Sequence, residues 1–248
     1  MEIKVFKDRI ELSEVAASQA AAILKSVIDE KGSACFIVAT GESQIDFLRV
    51  LAVDDSIDWR KTKMYHLDEY VGISAQHSAS FRSYLMKRLI ERVHPGEVHL
   101  VNGENPDPES EAQRLSDLIS RETIDVAFVG VGENGHLAFN DPPADFETDK
   151  PFIVVDLDTK CRQQQVNEGW FPTIHDVPPQ AITMSINQIM KSSSILAVVP
   201  GLRKAEAVRN CFINANIYPG FPSSILKKHP NAFLYLDTDS ASLLEQGK

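Results

Sequence analysis

Residues 124–143 read IDVAFVGVGENGHLAFNDPP. The first nine, 124–132, are almost unbroken in apolar character, the pattern of a strand covered on both faces, as strands of a parallel sheet are. Gly130, Gly132 and Gly135 fall within six residues, so the backbone can turn tightly and expose amides before the chain reaches His136. GVGENG also fits the loose pattern GxGxxG. The helix that should follow a dinucleotide-binding turn is interrupted by Asn140-Asp141-Pro142-Pro143, because proline disfavours helix in the residue before it, and a nicotinamide site is set aside.

Outward from that strand, similar apolar runs stand at 34–40 (ACFIVAT), 63–67 (KMYHL), 194–200 (SILAVVP) and 232–237 (AFLYLD), with AITMSI at 181–186 resuming the series after an irregular stretch. Helical patterns lie between them. In 13–29, Ala16, Ala20, Ile23, Leu24, Val27 and Ile28 share one helical face, and further helices are expected near 43–52, from Ser80 to Val93, near 109–120 and from Lys204 to Cys211. Strand and helix alternate as in βαβ units. This predicts an α/β fold with a single open, mostly parallel sheet and helices on both faces, a Rossmann-like three-layer architecture. No repeat, low-complexity tract or charged linker divides the chain, so one domain over 1–248 is expected. Residues 141–180 hold one expected strand, FIVVDLD, and are otherwise irregular. They read as an elaboration beside the active site.

The 248 residues are 43% apolar and 24% charged, a composition that can bury a large core. With 25 basic against 35 acidic residues the net charge is −10. That field repels a phosphate backbone, so nucleic acid is not expected as a partner, and an anionic small molecule must be held by local donors. No apolar run is long enough to span a bilayer, and MEIKVFKDRI alternates charge with hydrophobe, so a cytoplasmic protein without a membrane partner is expected. Cys35, Cys161 and Cys211 are odd in number and widely separated, which suggests neither a disulfide framework nor a structural zinc site. Cys161, beside Arg162, is the one thiol with a candidate reactive setting.

Ligands of open parallel sheets bind beyond the carboxyl ends of the strands. Three such ends carry polar groups: Thr40-Gly41-Glu42-Ser43, Leu67-Asp68-Glu69-Tyr70, and Gly130 to His136. His66 sits one pleat from Asp68 and reads as packed, while His77, His94, His99, His175 and His229 lack mutual ligand spacing, so no metal is expected. Trp59, Trp170 and Phe171 read as core or pocket wall.

HLDEYVG at 66–72, GVGENGHLAFNDP at 130–142 and GLRKAEAV at 201–208 resemble the three signature regions of the glucosamine-6-phosphate deaminase (isomerase) family, the group that also includes 6-phosphogluconolactonases. Ile57-Asp58-Trp59, Ser80-Phe81-Arg82 and Pro222 to Leu226 extend the resemblance, in order, across nearly the whole chain.

The resemblance implies acid–base chemistry on an amino sugar phosphate without metal or cofactor: ring opening, proton transfer from carbon 2 to carbon 1, and loss of ammonia. Asp68 matches the family's base, which must be a carboxylate with its pKa raised toward neutrality. Glu69 adds a charge that can raise it, provided the two side chains are not splayed apart. His136 matches the ring-opening histidine. Asp141 stands where the family has Glu and is expected to hold the imidazole's other nitrogen. Asn134 stands where it has Asp, and an amide can orient a ring but not stabilise an imidazolium by charge, leaving Asp141 or Glu133 as the carboxylate partner.

Thr40, Gly41 and Ser43 match a phosphate loop at a helix N-terminus, Gly135 belongs to the substrate-binding turn, and Lys204 matches the phosphate lysine. Glu42 replaces a glycine and is expected to face away. Gly169 occupies the place of an arginine, and Arg162 is the nearest cation to replace it. Two other readings stay open: lactone hydrolysis with His136 activating water, and a sugar-phosphate sensor without turnover. Tyr70 and LAFNDP favour the deaminase side over the lactonase side. The implied partner is a small sugar phosphate, and a homo-oligomer is allowed.

Overall fold

The computed structural model describes residues 1–213 and 216–244. Its strands are β1 (Glu2–Phe6), β2 (Ala34–Val38), β3 (Thr62–His66), β4 (Asp68–Tyr70), β5 (Glu97–His99), β6 (Val126–Val129), β7 (Phe152–Asp156), β8 (Gln180–Met184), β9 (Ser194–Val199) and β10 (Ala232–Asp237). Seven of them form a parallel sheet in the order β1-β10-β9-β6-β2-β3-β5. The helices are α1 (Arg9–Lys31), α2 (Ile45–Leu51), α3 (Phe81–Leu85), which continues through a π-helical stretch at Met86–Ile90 into α4 (Glu91–Val93), α5 (Pro108–Ile119), α6 (Thr159–Asn167), α7 (Ile186–Met190) and α8 (Ala205–Phe212).

Successive strand residues point to opposite faces, and β2 shows what that builds. Phe36 and Val38 pack with Leu12, Ala16 and Leu24 of α1 and Phe47 and Leu48 of α2. Cys35 and Ile37 join the opposite cluster, with Leu115 and Ile119 of α5 and Val208 of α8. Both faces of the sheet are covered, which is why its central strands read as unbroken apolar runs. The α/β three-layer expectation holds.

The structure departs from the sequence reading between 141 and 190. β7 and β8 do not enter the parallel sheet; they pair antiparallel with each other and with β4 in a second sheet, β4-β8-β7. An apolar run states that a strand is buried, not which partner it takes. Phe152, Ile182 and Met184 bury their inner faces in the same cluster as Ile37 and Val129, so the small sheet rests on the large one and shares its core. β1 and β5, the two edges, are short or half exposed, and carry little apolar signal. Among the described residues no helix is long and apolar enough to cross a membrane.

Strand order positions the site. From β2 the chain proceeds outward through β3 and β5; from β6 it proceeds the other way through β9 and β10. β2 and β6 are neighbours at this switch, so the connections leaving their carboxyl ends part and leave a crevice between them.

Candidate active site

A cleft occupies that crevice. Its polar walls come from five segments: Thr40, Gly41, Glu42 and Ser43 after β2; Asp68 after β3; Gly132 and His136 after β6; Gln164, Gln165 and Glu168 from α6 and its end; and Lys204 after β9.

Asp68 opens β4, paired with Thr183 of β8. Its side chain is buried and receives no hydrogen bond among the described residues. Burial, with the neighbouring Glu69 charge adding to it, pushes the Asp68 carboxyl up to about 8. Glu69 is splayed away, as alternate residues of a strand are, and does not line the cleft. Its carboxylate accepts from Ser80 Oγ at 2.7 Å, the backbone N–H groups of Phe81 and Arg82 at 3.1 and 2.9 Å, and that of Tyr70 at 3.1 Å. Burial raises the Glu69 pKa while these donors oppose it. Glu69 thus ties the start of α3 to β4 and acts on Asp68 only through its charge. His66 is wholly buried, and desolvation first, then Arg82, lowers it to about 3, so it is a neutral core group.

His136 sits against the glycine turn. A Cβ on Gly132 would lie 2.3 Å from the ring's Nε2 and Cε1, so only glycine lets the imidazole lie where it does. Gly135 has φ +85°, and its carbonyl accepts from Ser223 N–H at 2.9 Å and Oγ at 2.8 Å. It shapes the turn and does not line the cleft, which corrects its assignment to the substrate-binding set. His136 Nδ1 lies 3.2 Å from Asp141 Oδ1, at ion-pair range though not in line for a hydrogen bond.

Asn134 holds both partners: its Oδ1 accepts the His136 backbone N–H at 3.0 Å and its Nδ2 donates to Asp141 Oδ1 at 3.1 Å. Asp158 N–H donates to the other Asp141 oxygen at 3.2 Å. Burial works against Asp141 ionising, but His136, the Asn134 amide and this N–H outweigh it and hold the carboxyl below its ordinary range. One methylene fewer than glutamate is therefore enough for Asp141 to reach the ring.

One ligand atom each of His136, Asp141 and Cys161 also lie within 4.8 Å of one another, the one grouping among the described residues spaced closely enough to hold a metal ion. The spacing of the sequence does not reveal it, because the three come from the glycine turn, its sequel and α6. The Cys161 thiol is buried and its pKa raised by desolvation first and then by Asp141 and Asp158. It is a protonated core group rather than a reactive thiol.

At the other end, Lys204 is only 7% exposed, and burial holds its pKa below that of an ordinary lysine despite nearby Glu168 and Glu133. The turn that delivers it begins at Gly201, φ +95°, whose N–H is shared by both Asp237 oxygens. Glu42 does not face away; it lines the cleft and pairs with Arg203. Arg162 is not brought to the site. Its guanidinium donates to the carbonyls of Ile174 at 2.6 Å and Val177 at 3.0 Å, fastening the loop after α6.

Sequence reasoning missed Gln164, Gln165 and Glu168. Gln164 accepts from Glu133 N–H at 3.1 Å and donates to Glu168 at 2.7 Å, joining α6 to the glycine turn. The signal was present: Asp158 caps the helix by accepting Cys161 N–H at 2.6 Å, and Gly169, at φ +79°, follows its last turn. Tyr70 is buried against Phe81, Phe139 and Phe171 with ring centroids 5.0, 5.1 and 5.4 Å away.

Comparison with known proteins bears on this arrangement. Over 241 residues the chain is 34% identical to a glucosamine-6-phosphate deaminase of Geobacillus sp. (strain WCH70), covering 95% of this chain and 94% of that one. It is 35% identical over 239 residues to the enzyme of the same name from Shouchella clausii (strain KSM-K16), covering 94% and 95%. A solved monomeric glucosamine-6-phosphate deaminase superposes with TM-score 0.90 at 32% identity, over 98% of this chain and all of that one. A 6-phosphogluconolactonase from Shewanella baltica OS155 shares the fold, with TM-score 0.78 at 19% identity over 96% and 97% of the two chains. The family model for glucosamine-6-phosphate isomerases/6-phosphogluconolactonase matches residues 7–234, and the chain belongs to that family.

Proposed function

We propose that the protein is a glucosamine-6-phosphate deaminase, converting glucosamine 6-phosphate and water to fructose 6-phosphate and ammonia. The observation that carries this is the convergence of a raised, unpartnered carboxyl, an imidazole backed by a carboxylate, and a buried lysine on one cleft. Likeness over nearly the full length to proteins of that name supports the same substrate.

In this reading the Lys204 ammonium and the amides and hydroxyls of Thr40, Gly41 and Ser43 hold the phosphate. His136 takes the proton of the carbon 1 hydroxyl and gives one to the ring oxygen, opening the sugar; Asp141 stabilises the imidazolium formed in between. Asp68, as carboxylate, takes the proton of carbon 2 while the substrate's ammonium group gives a proton to the carbonyl oxygen of carbon 1, forming an enolamine; Asp68 then returns its proton to carbon 1, which leaves an iminium at carbon 2. Water adds there and ammonia departs. The high pKa of Asp68 suits a base that must pull a proton from carbon and later release it.

The test is direct: incubate the purified protein with glucosamine 6-phosphate and follow ammonia and fructose 6-phosphate, and in parallel follow acid release from 6-phosphogluconolactone. Ammonia and ketose phosphate in equal amounts are expected. Acid release alone turns the reading to lactone hydrolysis, and sugar phosphate binding without either product turns it to a sensor.

A further inference from the structure

Two cations and three carboxylates meet where the cleft closes beyond β2 and β9. Lys204 lines the cleft itself. Arg203, beside it on the turn Leu202–Lys204, lines an adjoining pocket that shares Glu42, Ser43, Glu168 and Lys204 with the cleft. Glu42 pairs with Arg203 Nη2, and Glu133 Oε1 lies 3.6 Å from Arg203 Nε. Glu168 is engaged by Gln164 Nε2 and Trp170 Nε1.

A phosphate monoester brings roughly −1.5 to −2 charge at neutral pH. Placed against Lys204 alone it would face Glu42, Glu133 and Glu168 with one ammonium to offset them. The other guanidinium groups nearby are committed elsewhere: Arg9, bordering the adjoining pocket, is 2.9 Å from Asp46, and Arg162 serves two backbone carbonyls. Arg203 is half exposed and held by carboxylates rather than by backbone, and the planar guanidinium fork fits phosphate oxygens as well as it fits a carboxylate.

Resting on the sugar-phosphate reading of the cleft, we infer that Arg203 is the second phosphate-binding cation of this site, and that Glu42 occupies its fork until phosphate displaces it. Glu42 then competes with the ligand and sets the affinity for phosphate, while Lys204 stays fixed at the base of the subsite.

Calorimetric titration with inorganic phosphate tests this independently of turnover. Arg203→Ala is expected to weaken phosphate binding by roughly tenfold or more, as for loss of a charge-assisted pair, and Glu42→Gln to tighten it. Arg203→Lys keeps the charge without the fork and is expected to fall between Ala and wild type. The double variant Arg203→Ala with Glu42→Gln decides between contact and shielding: it stays weak if Arg203 touches phosphate. Recovery of wild-type affinity in the double variant overturns the inference, as does unchanged affinity in Arg203→Ala or a wild-type protein that binds no phosphate. A protein that shows the expected pattern yet releases no ammonia keeps this assignment and loses only the deaminase reading.

Discussion

In the proposed reaction Asp68 serves as base, in a place that disfavours its charge. Its carboxyl is buried and unpartnered, and its pKa of about 8 follows from that desolvation, with Glu69 second. If it takes the carbon 2 hydrogen, kcat/KM should rise with pH through about 8 and then level, and Asp68→Asn should lose about 10²–10⁴-fold or more in kcat while keeping its circular dichroism spectrum. Stability should move the opposite way. Between the ordinary value of 3.8 and about 8, the folded chain binds this proton and the unfolded chain does not, so this group's contribution to stability is lost as pH rises through that window. Asp68→Asn escapes the loss. Its Tm relative to wild type should therefore increase from about pH 5 to about pH 9, and a constant difference would show that Asp68 is not the titrating group.

The glycine turn and the α3 start are each held by one side chain or by its absence. At Gly132 an added Cβ would fall 2.3 Å from the His136 ring, which must then move. Gly132→Ala is expected to cut turnover severely with only a small change in Tm, measured side by side, because the ring borders the open cleft and can swing into it. Glu69 is the contrary case. Its buried carboxylate satisfies three backbone N–H groups and Ser80, so Glu69→Ala strands those donors in the interior. That should cost about 3–5 kcal/mol in urea unfolding, and any loss of activity should be explained by the fraction unfolded. The acidic pair Asp68-Glu69 looks like one chemical unit in sequence. The pleat separates it into a cleft residue and a structural clamp.

At the scale of the whole molecule, the two sheets share one core, since Phe152, Ile182 and Met184 of the small sheet pack among residues of the large one. Denaturant unfolding is therefore expected to be a single transition. Trp59 packs with Phe36 under the α1–α2 face, and Trp170 lies by α6 near Tyr84, so fluorescence and circular dichroism sample different regions. Their midpoints should coincide; two separated midpoints would mean that the antiparallel sheet with α6 melts on its own.

The alternation of buried strands and amphipathic helices and the edge on which the polar loops fall were legible in the amino-acid sequence, and its resemblance to the family pointed to Asp68, His136, Asp141 and Lys204. Periodicity and residue type are local properties, and a strand buried on both faces or a glycine turn ending in histidine declares itself without its neighbours. The antiparallel sheet, the contribution of α6 to the cleft, Gly135 as scaffold, and the withdrawal of Arg162 from the cleft were decided only in three dimensions. Each depends on which partner a strand or guanidinium finds, and that choice is made by the packing of segments distant in sequence, whose relative placement no local pattern encodes.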